Sequence, residues 1–163
     1  MKNSVSLDKF ISGAPKAECW RYDRGSVIVC TAKGSAKNHF YLHAAVPAVA
    51  LETDAESFRF PPDKAHGACD WCVFTTEGLR GYFVELKGSD FMHAVTQLSS
   101  TIDYMSRVYG IVPKRAFSVL SGAHPRNSRP GKANVKLRFS RKWPNVELCE
   151  RSAGSNNISD VVE

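Results

Sequence analysis

Hydrophobic and polar positions change rhythm several times along this chain, and each rhythm predicts an element. Cys19-Trp20-Arg21-Tyr22 and Ser26-Val27-Ile28-Val29-Cys30 are β-like runs separated by Asp23-Arg24-Gly25, which predicts a hairpin. Upstream, residues 1–18 have weak periodicity, with a short helix expected over 6–12. Residues 32–38 form a polar loop. Residues 40–51 are apolar and fit either strand or helix, with Pro47 breaking the run. Residues 52–68, which hold Pro61-Pro62, suggest a turn, a short strand and a loop. Trp71, Val73 and Phe74 then mark a strand, Gly78 and Gly81 bracket a turn, and residues 82–87 form the hairpin partner.

From Asp90 the period becomes helical. Phe91, Ala94, Val95, Leu98, Ile102 and Met105 make one apolar face. Ser89 or Asp90 can cap the positive end of this helix, and Gly110 ends it. His93, Gln97 and Tyr104 lie on a flank of the apolar face. Residues 115–121 contain Ala116-Phe117-Ser118-Val119-Leu120, a buried strand. Strand–helix–strand implies a parallel neighbour through a right-handed crossover. Residues 121–131 predict a loop, and residues 132–141 a basic helix with Val135 and Phe139 inward. Val146-Glu147-Leu148-Cys149 predicts a final short strand. The order implies an α/β fold: a mixed central β-sheet flanked by helices, with helices on its faces. A single domain over 1–150 is expected, followed by a flexible tail over 151–163.

Composition narrows the class. The chain has 163 residues, 43% hydrophobic and 23% charged, as one globular domain would. No apolar run is long enough to span a bilayer, and the first residues lack an apolar signal segment. A cytoplasmic protein without a membrane partner is therefore expected. Five cysteines without a secretion signal are expected to be reduced. Cys69 and Cys72 form a C-x-x-C, but positions three apart in a strand point to opposite faces, and no second pair follows at zinc spacing. Net charge is +6, which favours an anionic partner. Between Lys114 and Lys142 stand Lys114, Arg115, Arg126, Arg129, Lys132, Lys136, Arg138, Arg141 and Lys142, with no acid. Such a stretch is either a solvated basic face or a phosphate-facing surface.

The candidate chemistry lies in the hairpin. Glu85 and Lys87 share one strand face, about 6–7 Å apart along the strand, while Tyr82, Val84 and Leu86 face the other way. Asp70 has the parity of Cys72 and Phe74, so it can meet Glu85 across the ladder. Two carboxylates at one point repel and invite a hard cation such as Mg²⁺, which takes one or two carboxylates and keeps several waters. The backbone carbonyl of Leu86 is a further candidate ligand. Lys87 could orient the attacking water or stabilise charge at phosphorus. The alternative is that Glu85-Leu86-Lys87 is a solvated strand face and Gln97 a surface glutamine.

Asp70, then Glu85-Leu86-Lys87, then a helix carrying Gln97 resembles the PD-(D/E)XK (restriction-endonuclease-like) phosphodiesterase superfamily. The likeness covers residues 69–102 and is to its small stand-alone members. It implies a restriction-endonuclease-like fold, with Asp70 and Glu85 as ligands of Mg²⁺ (or Mn²⁺), Lys87 as the catalytic lysine, and Gln97 as the helix glutamine beside the site. The proline that often precedes the aspartate is absent; Ala68-Cys69 stands there. Many members draw a further ligand from a glutamate on an early helix. The nearest upstream acids here are Glu52, Asp54 and Glu56, and none lies in a convincing helix pattern.

The expectation is a divalent-metal-dependent endonuclease, with metal-activated water hydrolysing a phosphodiester. Arg126, Arg129, Lys132, Lys136, Arg138, Arg141 and Lys142 would grip the nucleic acid, DNA being favoured over RNA. By analogy with enzymes that cut both strands, a homodimer is the expected assembly. The alternative is a non-catalytic nucleic-acid-binding or assembly module on the same fold. A third arrangement would use His39, His43 or His66 as a ligand, as some virus-type members do with Mn²⁺ and RNA. No Gly-rich phosphate loop, Gly-x-Ser-x-Gly elbow or His-Glu-x-x-His motif competes with these readings.

Overall fold

Short β-branched runs and one long amphipathic helix build a mixed α/β structure. The computed structural model describes residues 19–32, 38–53, 67–121, 129–153 and 160–163. In chain order their elements are β1 (Cys19–Tyr22), β2 (Val27–Thr31), β3 (His39–Ala44), β4 (Ala48–Glu52), β5 (Trp71–Thr75), β6 (Gly81–Lys87), α1 (Phe91–Tyr109), β7 (Pro113–Leu120), α2 (Arg129–Lys142), β8 (Glu147–Ser152) and β9 (Asp160–Val162). Six strands form one sheet in the order β1-β4-β5-β6-β7-β8, and β2-β3-β9 form a second. In the larger sheet the β1/β4, β4/β5 and β5/β6 pairs are antiparallel, and β6/β7 and β7/β8 are parallel.

Each strand of the large sheet divides its side chains between two cores. Cys72, Phe74, Phe83 and Ala116 face α1 and α2, where Phe91, Leu98, Ile102, Met105 and Phe139 meet them. Trp71, Val73, Tyr82, Val84, Phe117 and Val119 face the second sheet, where Ile28, Phe40, Leu42 and Val162 cover them. The three layers are thus helices, large sheet, small sheet. Helices on both faces were expected. Instead β6-α1-β7-α2-β8 steps twice in one direction across the sheet, and two crossovers of the same hand leave both helices on the same face. The other face is equally apolar and is covered by strands.

The sequence signals for α1 hold in detail. The Asp90 side chain accepts a hydrogen bond from the His93 amide, and Gly110 caps the far end at φ 68°, a left-handed conformation that glycine adopts freely. All six residues of the expected apolar face are buried. Its counterpart α2 buries Phe139 and packs Val135 partly, as expected. Residues 40–51 are two strands parted at Pro47.

Two expectations are corrected. Asp23-Arg24-Gly25 does not close a hairpin: β1 pairs with β4, and β2 with β3. The turn carries the chain from one sheet to the other, because Ile28 and Cys30 are buried in the layer between the sheets. Nor do residues 151–163 fray as a whole. Strand β8 extends to Ser152, and β9 pairs in parallel with β3. Arg115 and Arg151 both bind the Asp160 carboxylate, at 2.8 and 2.9 Å, and the Tyr82 hydroxyl bonds the Glu163 backbone. The expected elements over 6–12 and within 54–66 lie outside the described residues. No helix among the described residues is long and apolar enough to cross a membrane.

Candidate active site

The β5–β6 hairpin brings Asp70 and Glu85 together as strand parity requires. Trp71 pairs with Val84, so Asp70, one residue before β5, extends the ladder to Glu85. The Asp70 amide donates to Glu85 Oε2 at 3.1 Å, and the Leu86 amide donates to Asp70 Oδ2 at 2.7 Å. Lys87 Nζ lies 3.0 Å from Glu85 Oε1. Glu85 is fully buried and Asp70 nearly so, while the Lys87 side chain is 29% exposed. A buried carboxylate is costly unless charge and hydrogen bonds compensate it; here Lys87 and the Asp70 amide do so. The solvated-face reading of Glu85 fails on its burial.

The backbone adds a third oxygen. The N–H and C=O of one strand residue point to the same neighbouring strand, and successive residues alternate. Lys87 faces β7, since its carbonyl accepts from the Ser121 amide at 3.1 Å. Leu86 faces β5, since its amide binds Asp70, so its carbonyl is directed to the same side as the Asp70 carboxylate. Among the described residues no group of three or more His, Cys, Asp or Glu side chains could hold a metal ion. The available set is therefore two carboxylates and a carbonyl. That all-oxygen set suits Mg²⁺, which typically takes one or two protein carboxylates and completes its shell with water and substrate oxygen.

The segment carrying Asp70 is clamped on both sides. Thr53 donates its amide to the Asp70 carbonyl at 2.9 Å, and its hydroxyl bonds the Cys69 carbonyl. On α1, Thr101 Oγ1 accepts from the Cys69 amide at 2.8 Å, and Gln97 Nε2 donates to the Ala68 carbonyl at 3.2 Å. Gln97 is thus beside the site and holds the chain leading to Asp70. Because Cys69 precedes the strand proper, the Cys69 and Cys72 sulfurs approach to 3.9 Å rather than pointing apart. Burial, then the neighbouring Cys69, pushes the Cys72 thiol well above its ordinary range.

The other candidates divide. His39 and His43 share a β3 face opposite to Phe40, Leu42 and Ala44, which pack toward the large sheet; both histidines therefore point away from Asp70. Glu52 ends β4 with the parity of Ala48 and Ala50, facing the small sheet. His66, Asp54, Glu56 and Arg126 lie outside the described residues, as does the side chain of Arg129, which opens α2. Lys132 and Lys136 bind Glu150 at 2.6 and 3.1 Å, and Lys142 lies 3.5 Å from Asp103. Arg138 and Arg141 are exposed and form no ion pair among the described residues.

Two residues of this sheet end were not foreseen. Ser118 pairs with Glu85 in register, and Glu150 pairs with Ser118. They stand beside Glu85 on the helix-facing side, near the carboxyl ends of the parallel strands, where open α/β sheets place ligands. Strand parity could have put each on a face, but no local pattern announces which strands adjoin.

No family model matches the chain, and no curated protein or solved structure matches it.

Proposed function

We propose that the protein is a divalent-metal-dependent nuclease with a restriction-endonuclease-like, PD-(D/E)XK-type site. The supporting observation is that Glu85 is bonded to both of the others, to the Asp70 amide at 3.1 Å and to Lys87 Nζ at 3.0 Å, while the Asp70 carboxylate is held by the Leu86 amide at 2.7 Å. Asp70, Glu85 and the Leu86 carbonyl would hold Mg²⁺ or Mn²⁺, which when bound neutralises phosphate charge and acidifies a water. Lys87, the partly exposed member, would orient the attacking water or stabilise developing negative charge at the scissile phosphate. Gln97 keeps the 67–70 segment, and with it Asp70, in place. Arg138 and Arg141 supply backbone contacts, with DNA the favoured substrate.

The test is cleavage of labelled single- and double-stranded DNA and RNA with Mg²⁺, Mn²⁺ or EDTA, by the wild type, Asp70→Asn and Lys87→Ala. Metal-dependent cutting lost in both variants supports the nuclease. Salt-sensitive binding without cutting under any metal condition sinks it in favour of a non-catalytic binding module.

A further inference from the structure

A second charged cluster adjoins the Asp70–Glu85 site. Glu85, Ser118 and Glu150 lie in one register row, so Glu150 is two strand spacings, about 9.5 Å, from Glu85. Lys132 and Lys136, one helical turn apart on α2, both reach its carboxylate, at 2.6 and 3.1 Å. The same two ammonium groups lie over the ring of Phe91, the first residue of α1, at 5.2 and 5.6 Å from its centroid. Between the two carboxylates, Ser118 Oγ is fully buried and has no hydrogen-bond partner among the described residues.

One lysine would neutralise Glu150; the second is in excess. Lys136 is also half-exposed, at 48%, so the surplus charge is open to an anion from solvent. The aromatic face and the carboxylate fix where both ammonium groups stand, which lowers the entropy lost when they bind a ligand.

We propose that Lys132 and Lys136 form a second phosphate position, oriented by Glu150 and Phe91. It takes a backbone phosphate flanking the bond held at Asp70, Glu85 and Lys87. This rests on the nucleic-acid reading of that site and makes it specific: the substrate is a polynucleotide lying across the carboxyl ends of β6, β7 and β8, rather than an isolated phosphodiester. Glu150 is a positioning residue that also competes with the phosphate for the lysines.

The experiment is fluorescence anisotropy of a labelled single-stranded oligonucleotide on the full chain in EDTA, over a salt series. Lys132→Met with Lys136→Met keeps aliphatic stems over Phe91 and removes both charges. Each phosphate contact on a single strand contributes about 0.7 to the salt slope, so the double variant, which removes one phosphate position, should lose about 0.7. Glu150→Gln should bind more tightly than wild type at low salt, because both lysines stay charged and their competitor is gone. An ion pair that only docks α2 predicts lower melting temperatures and unchanged binding in both variants, and that result overturns the proposal. Where the double variant fails to fold by circular dichroism, Glu150→Gln decides alone: unchanged or weaker binding overturns it. The nuclease reading is judged separately with Mg²⁺ and Mn²⁺. Absent cleavage with the slope change intact rejects that reading and leaves the phosphate position standing.

Discussion

The Asp70 carboxylate accepts a hydrogen bond from the Leu86 amide, and the Asp70 amide donates to the Glu85 carboxylate. Each acid is thereby fixed by the backbone of the other's strand, so their spacing is a property of the hairpin rather than of flexible side chains. Asp70→Asn should keep this arrangement, because an amide oxygen still accepts from Leu86 while the ligand charge is lost. On the proposed nuclease function, the cleavage rate should fall at least about a hundredfold, since metal charge stabilisation is worth several kcal/mol. Calorimetric Mg²⁺ titration should show loss of binding, with urea stability little changed. Retained metal binding would remove Asp70 from the site.

Lys87 is the member of the trio that reaches solvent. On the proposed nuclease function, Lys87→Ala should lower cleavage about 10²–10³-fold, the range for loss of one group stabilising transition-state charge, while leaving oligonucleotide affinity largely intact. Cleavage at the wild-type rate would show that the ammonium serves only to compensate buried Glu85.

Gly67 leads into the Asp70 segment at φ 70°, and a Cβ there would come within 3.0 Å of Gln97 Nε2. Gly67→Ala should therefore destabilise by about 1–3 kcal/mol through backbone strain, plus the displacement of Gln97. Adding Gln97→Ala should relieve the second part, so the double variant should be more stable than the sum of the single changes predicts. Urea denaturation of the four proteins checks this, and strict additivity would mean that the two residues do not press on each other.

The Tyr82 hydroxyl donates to the Glu163 carbonyl at 2.7 Å and accepts from the Glu163 amide at 3.1 Å. Tyr82→Phe removes both bonds; the Glu163 carbonyl keeps the Arg80 guanidinium at 3.0 Å, but the Glu163 amide loses the hydroxyl, costing about 1–3 kcal/mol. Amide exchange should accelerate over 160–163 before the rest of the chain. Uniform exchange would show that β9 is held by Asp160 instead.

Glu150 has a lowered pKa: burial pushes it up, but hydrogen bonds and charge from Lys132 and Lys136 outweigh that. A carboxyl depressed in the folded state contributes stability above its unfolded pKa, about 4.3, and loses it as pH falls through the lower folded value. The melting temperature of wild type should exceed that of Glu150→Gln at neutral pH and converge with it as pH falls below the unfolded pKa and through the depressed folded one. A constant difference across pH would sink the ionic account of α2 docking.

Local pattern alone determined much of this protein. The period and caps of α1 are written in residues 90–110, because a helix is specified by side chains three and four positions apart. The Asp70–Glu85–Lys87 meeting was legible because a tight hairpin leaves register and parity little freedom. Tertiary structure decided the rest. Asp23-Arg24-Gly25 signals a turn, but whether β1 and β2 then pair depends on which surfaces their faces bury. The apolar parity of β6 and β7 does not say whether helix or sheet covers it. Residues 160–162 form a strand through partners more than a hundred residues earlier in β3. The stretch from Lys114 to Lys142, with nine basic residues and no acid, looked uniform, yet Lys114, Arg115, Lys132, Lys136 and Lys142 pair with Glu163, Glu147 and Asp160, Glu150, and Asp103. Charge counts along a chain carry no information about which acids the fold brings opposite, and Glu150 entered the row beside Glu85 only when β7 came between them.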